Sequence, residues 1–259
     1  TIARPSFKEK SIAQIFDPVT STTFIGNIDI LPTKILNYDL RWELFQEDAQ
    51  MYAISLFYKD FTNPIELVVY NGASPNDYTP KNVDEAKVYG IELEFRKNLE
   101  FISESLSNFK LTFNTSIIRS EEIMDEKEYE GRTKSARSGE VVSRKRELQG
   151  QSPYLINLGL NYNSINNNFE GSLNYNVQGK TLQIVGVNYV PDIYTEPFNS
   201  LNLNFNYKFG RTDNLKLGLG IKNLLDEKIE SYYYTNDIKS IYSSLSPRRE
   251  FKLSLGINF

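Results

Sequence analysis

Glu92 and Glu94 stand two residues apart in VYGIELEFRKNL (88–99), with Arg96 two residues further on. On a strand, residues i and i+2 face the same way, so the two carboxylates share a face, as paired acid–base groups must. No pocket signature surrounds them, and they do not read as catalytic. The chain has no His and no Cys. That removes the commonest metal ligand, the commonest base at neutral pH, thiolate chemistry and disulfides. The run EEIMDEKEYEG (121–131) holds Glu121, Glu122, Asp125, Glu126, Glu128 and Glu130. Calcium asks for several oxygens, but the EF-hand spacing is not met, and the run reads as a solvated loop. SRKRE (143–147) has the charge to meet phosphate, with a plain solvated loop as the simpler reading. Tyr232, Tyr233 and Tyr234 in SYYYTND, with Tyr242 beyond, combine apolar area with a hydrogen-bonding tip, and they are the ligand-contact candidates. The residue types therefore point away from an enzyme, and they call for no metal and no cofactor.

The elements that must position these residues are strands. Period-2 alternation recurs along the chain, and helical periodicity is almost absent. In SLNLNFNYKFG, Leu201, Leu203, Phe205, Tyr207 and Phe209 share one face, and Asn202, Asn204, Asn206 and Lys208 share the other. NYDLRWEL, YAISLFYKD, VYGIELEFRK, FKLTFNTSI, YLINLGLNYN, FEGSLNYNVQG, LKLGLGIKN and REFKLSLGINF follow suit, which makes about nine strands. Every proline is expected between strands or at a strand start. The connections alternate in length. Short ones are 45–49, 97–108, 164–168 and 210–214; long ones are 62–87, 122–152, 180–198 and 226–246, with 5–35 a further long stretch. Long connections thus share one end of the sheet and short ones the other.

Two all-β architectures alternate in this way: a soluble sandwich or barrel, and a transmembrane barrel with its apolar face in lipid. Strands of about ten residues, an Asn-, Gly- and Ser-rich polar face, and aromatics at both strand ends favour the barrel. The expected fold is an all-β, antiparallel, up-and-down transmembrane β-barrel. Arg41, Glu43, Glu92, Glu94 and Arg96 would face its lumen, paired with each other or hydrogen-bonded to whatever fills it. No run is long and apolar enough for a transmembrane helix. The net charge of −4 argues against a nucleic-acid partner. TIARPSFKEK lacks an initiator Met and a signal-peptide pattern, and it reads as the interior of a longer polypeptide. The apolar alternation runs to Phe259, which in a closed barrel would lie in the girdle at the short-turn end.

The chain resembles the TonB-dependent outer-membrane receptors, in the style of the Bacteroidota. TIARPSFKE, GNIDILPTKILNYDLRWEL (26–44), SLFYKDFTNPIE (55–66), VYGIELEFRKNL, SPYLINLGLNY (152–162), GIKNLLDEK (220–228) and SPRREFKLSLGINF (246–259) match the family's segments in order. Ile28 and Ile30 depart from the usual form of the second. The resemblance covers essentially all of 1–259 and implies the C-terminal portion of a 22-stranded barrel. These would be its last nine strands, and Thr1–Arg4 the end of the strand before. It implies an N-terminal plug outside this chain, import energised through TonB–ExbB–ExbD, and a nutrient ligand: siderophore, glycan, peptide or cobalamin-like. It also implies that Phe259 acts as an outer-membrane assembly signal. Outer-membrane lipid and lipopolysaccharide would surround the barrel, with SRKRE near lipopolysaccharide phosphates, and a surface lipoprotein is a further candidate partner. The alternative function is a structural barrel of a surface or secretion complex without transport.

Overall fold

The computed structural model describes residues 1–18, 20–70, 77–136, 141–187, 190–210, 214–235 and 238–257. Phe259, the expected assembly signal, lies outside them. In chain order the elements begin with β1 (Ile2–Ala3), β2 (Gln14–Asp17), β3 (Thr22–Ile25), β4 (Thr33–Gln46), β5 (Gln50–Thr62), β6 (Ile65–Val69) and β7 (Asp77–Asn82). They continue with β8 (Glu85–Asn98), β9 (Phe109–Ile123), α1 (Glu126–Ser135), β10 (Lys145–Arg146), β11 (Tyr154–Asn163), β12 (Phe169–Gln178), β13 (Thr181–Ile184) and β14 (Ile193–Thr195). The last are β15 (Phe198–Phe209), β16 (Leu215–Lys222), β17 (Ile229–Thr235), β18 (Ile238–Leu245) and β19 (Glu250–Ile257).

The main sheet runs β1-β4-β5-β8-β9-β11-β12-β15-β16-β19, with β10 added to β9, and every pairing is antiparallel. Its nine long strands are the nine read from alternation, and β1 falls where the end of a preceding strand was expected. The sheet is open in this chain, with β1 and β19 at its two ends.

Register carries the alternation across the whole sheet. One row links Leu40, Leu56, Ile91 and Ile117, and the next links Trp42, Ile54, Leu93 and Thr115. Further along, Leu173, Leu203, Ile221 and Phe251 share a row. A one-residue slip would turn each apolar set to the wrong face, so the common apolar face fixes the register strongly. Aromatic residues close the apolar face at both ends. Tyr52 packs edge-on against Phe95 with centroids 5.3 Å apart, and Phe109, Tyr162 and Phe169 form a chain at 4.8 and 5.8 Å. At the long-connection end Tyr38, Tyr58 and Tyr89 follow one another at 6.3 and 6.4 Å.

The long connections differ from the plain loops the sequence suggested. They fold into two further four-stranded sheets, β2-β3-β7-β6 and β13-β14-β17-β18. A parallel bridge between Val68 and Val185 joins them, with Val69 N–H donating to Val185 O and Val185 N–H to Leu67 O, both at 3.0 Å. Val68, Leu182 and Val185 form one small core under this junction, and Val69, Ile184 and Ile193 form another. Connection 122–152 contains α1, which has no apolar period to announce it. Its start is fixed by Asp125, whose carboxylate accepts from Glu128 N–H at 2.8 Å. Pro80, expected between strands, lies inside β7, beyond Asp77 and Tyr78, the two residues that β3 pairs with.

Candidate functional site

The charges expected on the polar face are on it. Register sets Arg41, Ser55, Glu92 and Ser116 in one row, and Glu43, Ala53, Glu94 and Asn114 in the next. Arg41 binds Glu43 along its own strand, donates to Ser55 Oγ at 2.9 Å, and reaches Glu94 at 3.0 Å. Arg96 adds a second, looser contact to Glu94 at 3.6 Å. Glu92 accepts from Ser116 Oγ at 3.4 Å. Arg41, Glu43, Glu94 and Arg96 are therefore joined in one patch, and Glu92 lies beside it, bonded to a serine rather than an arginine. Glu43 and Glu94 are partly exposed partners of arginine.

The structure divides the four tyrosines into two pairs. Tyr232, Tyr233 and Tyr234 lie in β17, a strand rather than a loop, so alternate residues face opposite ways. Tyr233 packs edge-on against Tyr242 at 5.3 Å, and both lie against the core of Val69, Ile184 and Ile193. They hold the loop sheets together. Burial raises the Tyr242 hydroxyl to about 12. Tyr232 and Tyr234 occupy the other face, each beneath a lysine. Lys239 Nζ lies 3.9 Å from the Tyr232 ring centroid, and Lys180 Nζ sits 3.3 Å from Tyr234 and 4.3 Å from Tyr194. Lys180 is thus held over two aromatic faces, and burial lowers its ammonium pKa. Glu196 accepts from the Tyr234 hydroxyl and pairs with Lys239 at 3.3 Å. A cavity of about 310 Å³ adjoins Glu196, lined by Gln178, Leu182, Thr195, Phe198 and Ile229 among others. Gln178 and Phe198 pair with each other on the polar face of the main sheet, so the cavity sits at the long-connection end of that face.

A third cluster was not expected. Arg146, read as part of a solvated basic stretch, is 6% exposed and surrounded by carboxylates from three elements. It donates to Glu66 of β6 at 2.9 Å, to Glu122 of β9 at 2.7 Å and to Glu128 of α1 at 2.8 Å. Glu122 and Glu128 therefore leave the solvated acidic run, at 0% and 9% exposed. Arg132 continues the network with bonds at 2.8 Å to both oxygens of Asp192, and Asp192 accepts from Gly186 N–H. Lys145 and Arg144 are engaged too, with Glu121 and Glu126, so every cation of the basic stretch is paired with a carboxylate. Burial pushes Glu66 up, but Arg146 outweighs it and holds the carboxyl below its ordinary range. Glu122 lies three positions past Arg119, which shares a row with Tyr89, and so lies outside the membrane-spanning rows. Burial, and then the neighbouring Glu66, push its carboxyl up. Among the described residues no cluster is built to hold a metal ion. The one sequence signal for this network was Glu66 itself, a lone charge in the apolar run PIELVV.

The model of the TonB dependent receptor-like β-barrel matches residues 2–224. The chain belongs to that family. It is an outer-membrane family of receptors and transporters rather than enzymes, which makes the long connections extracellular and the polar face luminal. Among solved structures, the ferric citrate transporter FecA in its unliganded form aligns with a TM-score of 0.60 at 17% identity, covering 87% of this chain and 31% of FecA. The ferric yersiniabactin uptake receptor FyuA of Yersinia pestis gives 0.60 at 15%, covering 92% and 31%. A mutant ferric enterobactin receptor PfeA of Pseudomonas aeruginosa, bound to enterobactin, gives 0.55 at 19%, covering 92% and 34%. The chain spans about a third of the length of these structures. A comparison with curated protein sequences found no match.

Proposed function

We propose that residues 1–259 are the C-terminal portion of the barrel of a Bacteroidota-type outer-membrane receptor. It would import a scarce nutrient through a plugged lumen, with energy supplied through TonB. The observation that carries this reading is the face made by Tyr232, Tyr234 and Tyr194 with Lys180 and Lys239. It adjoins a cavity at the extracellular end of the luminal wall. Tyrosine rings and ammonium groups together suit a ligand with both aromatic or ring surface and negative charge. A siderophore fits that description better than a neutral glycan, and FecA, FyuA and PfeA are named for ferric ligands. The luminal patch of Arg41, Glu43, Glu92, Glu94 and Arg96 would contact the plug.

The test is uptake of labelled ferric siderophores by cells carrying the full receptor, with and without TonB. Lys180→Ala and Tyr234→Ala should weaken ligand binding while leaving the amount of assembled receptor unchanged. Uptake that is indifferent to TonB would defeat the transport reading. Binding that is indifferent to both variants would remove this face from the ligand site.

A further inference from the structure

Four carboxyl groups, Glu66, Glu122, Glu128 and Asp192, share two guanidinium groups, Arg146 and Arg132, in a nearly dry space. Fully ionised, the cluster would carry two uncompensated negative charges where little water reaches to screen them. Glu66 and Glu122 are the closest to conflict, since both reach the same Nη2 of Arg146. Glu122 Oε2 is fully buried with no hydrogen-bond partner among the described residues. A proton shared by these two carboxyls replaces repulsion with a hydrogen bond.

We propose that Glu66 and Glu122 form a proton-binding site, and that the bound proton locks the extracellular connections into one body. The elements it joins come from separate connections. Glu66 belongs to 62–87; Glu122, Glu128, Arg132 and Arg146 belong to 122–152; Asp192 belongs to 180–198. Pairing of β14 with β17 extends the body to 226–246. The proposal concerns how these connections are held and stands apart from the identity of any ligand.

The direction of the pH effect follows from the two carboxyls. Glu122 keeps its proton in the closed body and loses it near the ordinary glutamate value of about 4.3 once open. Its contribution is complete below that value and fades as pH rises towards the closed-state value. Glu66 works in reverse, because Arg146 holds it low, and its contribution fades only in acid. Between about pH 6 and pH 8 the Glu122 proton alone sets the slope, and opening should rise about tenfold per pH unit.

The experiment is hydrogen exchange on the full receptor in detergent, read as protection factors for amides of β6, β14 and β17 across that range. Wild type should lose protection at about tenfold per unit. Glu122→Gln keeps the shape and a neutral group, so its protection should stay high and become flat with pH. Glu66→Gln removes the carboxylate that faces Arg146 and should lower protection at every pH. Flat protection in the wild type would overturn the proposal, and the wild-type titration needs no variant to fold. So would equal slopes in wild type and Glu122→Gln.

Discussion

At the residue scale, the two kinds of ion pair in this chain should behave very differently. Arg146 is buried among three carboxylates, so Arg146→Met removes the one guanidinium that reaches both Glu66 and Glu122, and leaves Glu128 with Arg132 alone. Removing one partner of a buried cluster costs about 3–5 kcal/mol. The loss should appear as local opening of the loop sheets, measured by hydrogen exchange, with the heat resistance of the barrel little changed. Lys134, by contrast, pairs with Glu130 one helical turn away in open solvent. Lys134→Ala should leave the same measurement unmoved, since exposed pairs are screened and flexible. Gly90 gives a steric counterpart. A Cβ there would lie 2.3 Å from Ile117 O and 2.8 Å from Phe57 Cζ. Gly90→Val should therefore cost about 1–3 kcal/mol in a denaturant titration, through overpacking of the luminal face.

At the element scale, the assignment of inside and outside is open to direct test on β15. Leu203 shares its row with Leu173 and Ile221, in the lipid-facing belt, whereas Asn204 pairs with Ser172 and Gly220 on the luminal face. Leu203→Arg should cost about 2–4 kcal/mol in a bilayer folding titration, and Asn204→Arg far less. Equal losses would mean that the faces are reversed or that the strand does not span. The nine long strands were legible because one face must be apolar throughout, which stamps a period of two on eight or more residues. The loop strands carry no such stamp. β6, β13 and β14 are three to five residues long, and their burial comes from packing on each other rather than on lipid. α1 is polar all round and is held by its cap and ion pairs. The tyrosine trio was recognisable as a candidate site, but its division into a packing face and an open face depended on β17 being a strand. The Arg146 network was illegible for a simpler reason: 80 residues separate it from Glu66.

At the scale of the whole molecule, an apolar belt of large side chains lies exposed along the main sheet. Leu40, Trp42, Phe251, Leu253 and Leu255 are among the most open. In water such a continuous surface drives association; in a bilayer it is the surface that lipid covers. The full receptor should therefore leave membranes only with detergent and precipitate when detergent is withdrawn. Release by salt or alkali alone would contradict a spanning barrel.

The bridge between Val68 and Val185, and the ion pair between Glu66 and Arg146, also limit how this exterior can be re-engineered. Connections of a membrane barrel are commonly treated as exchangeable parts, each carried by its own pair of strands. Here, replacing residues 62–87 alone removes both the strand that Val185 pairs with and the carboxylate that faces Arg146. The transplanted segment would arrive without either. With β3 paired to β7 and β14 to β17, residues 5–35, 62–87, 122–152, 180–198 and 226–246 are tied to one another, and a substitution in one is answerable to the rest.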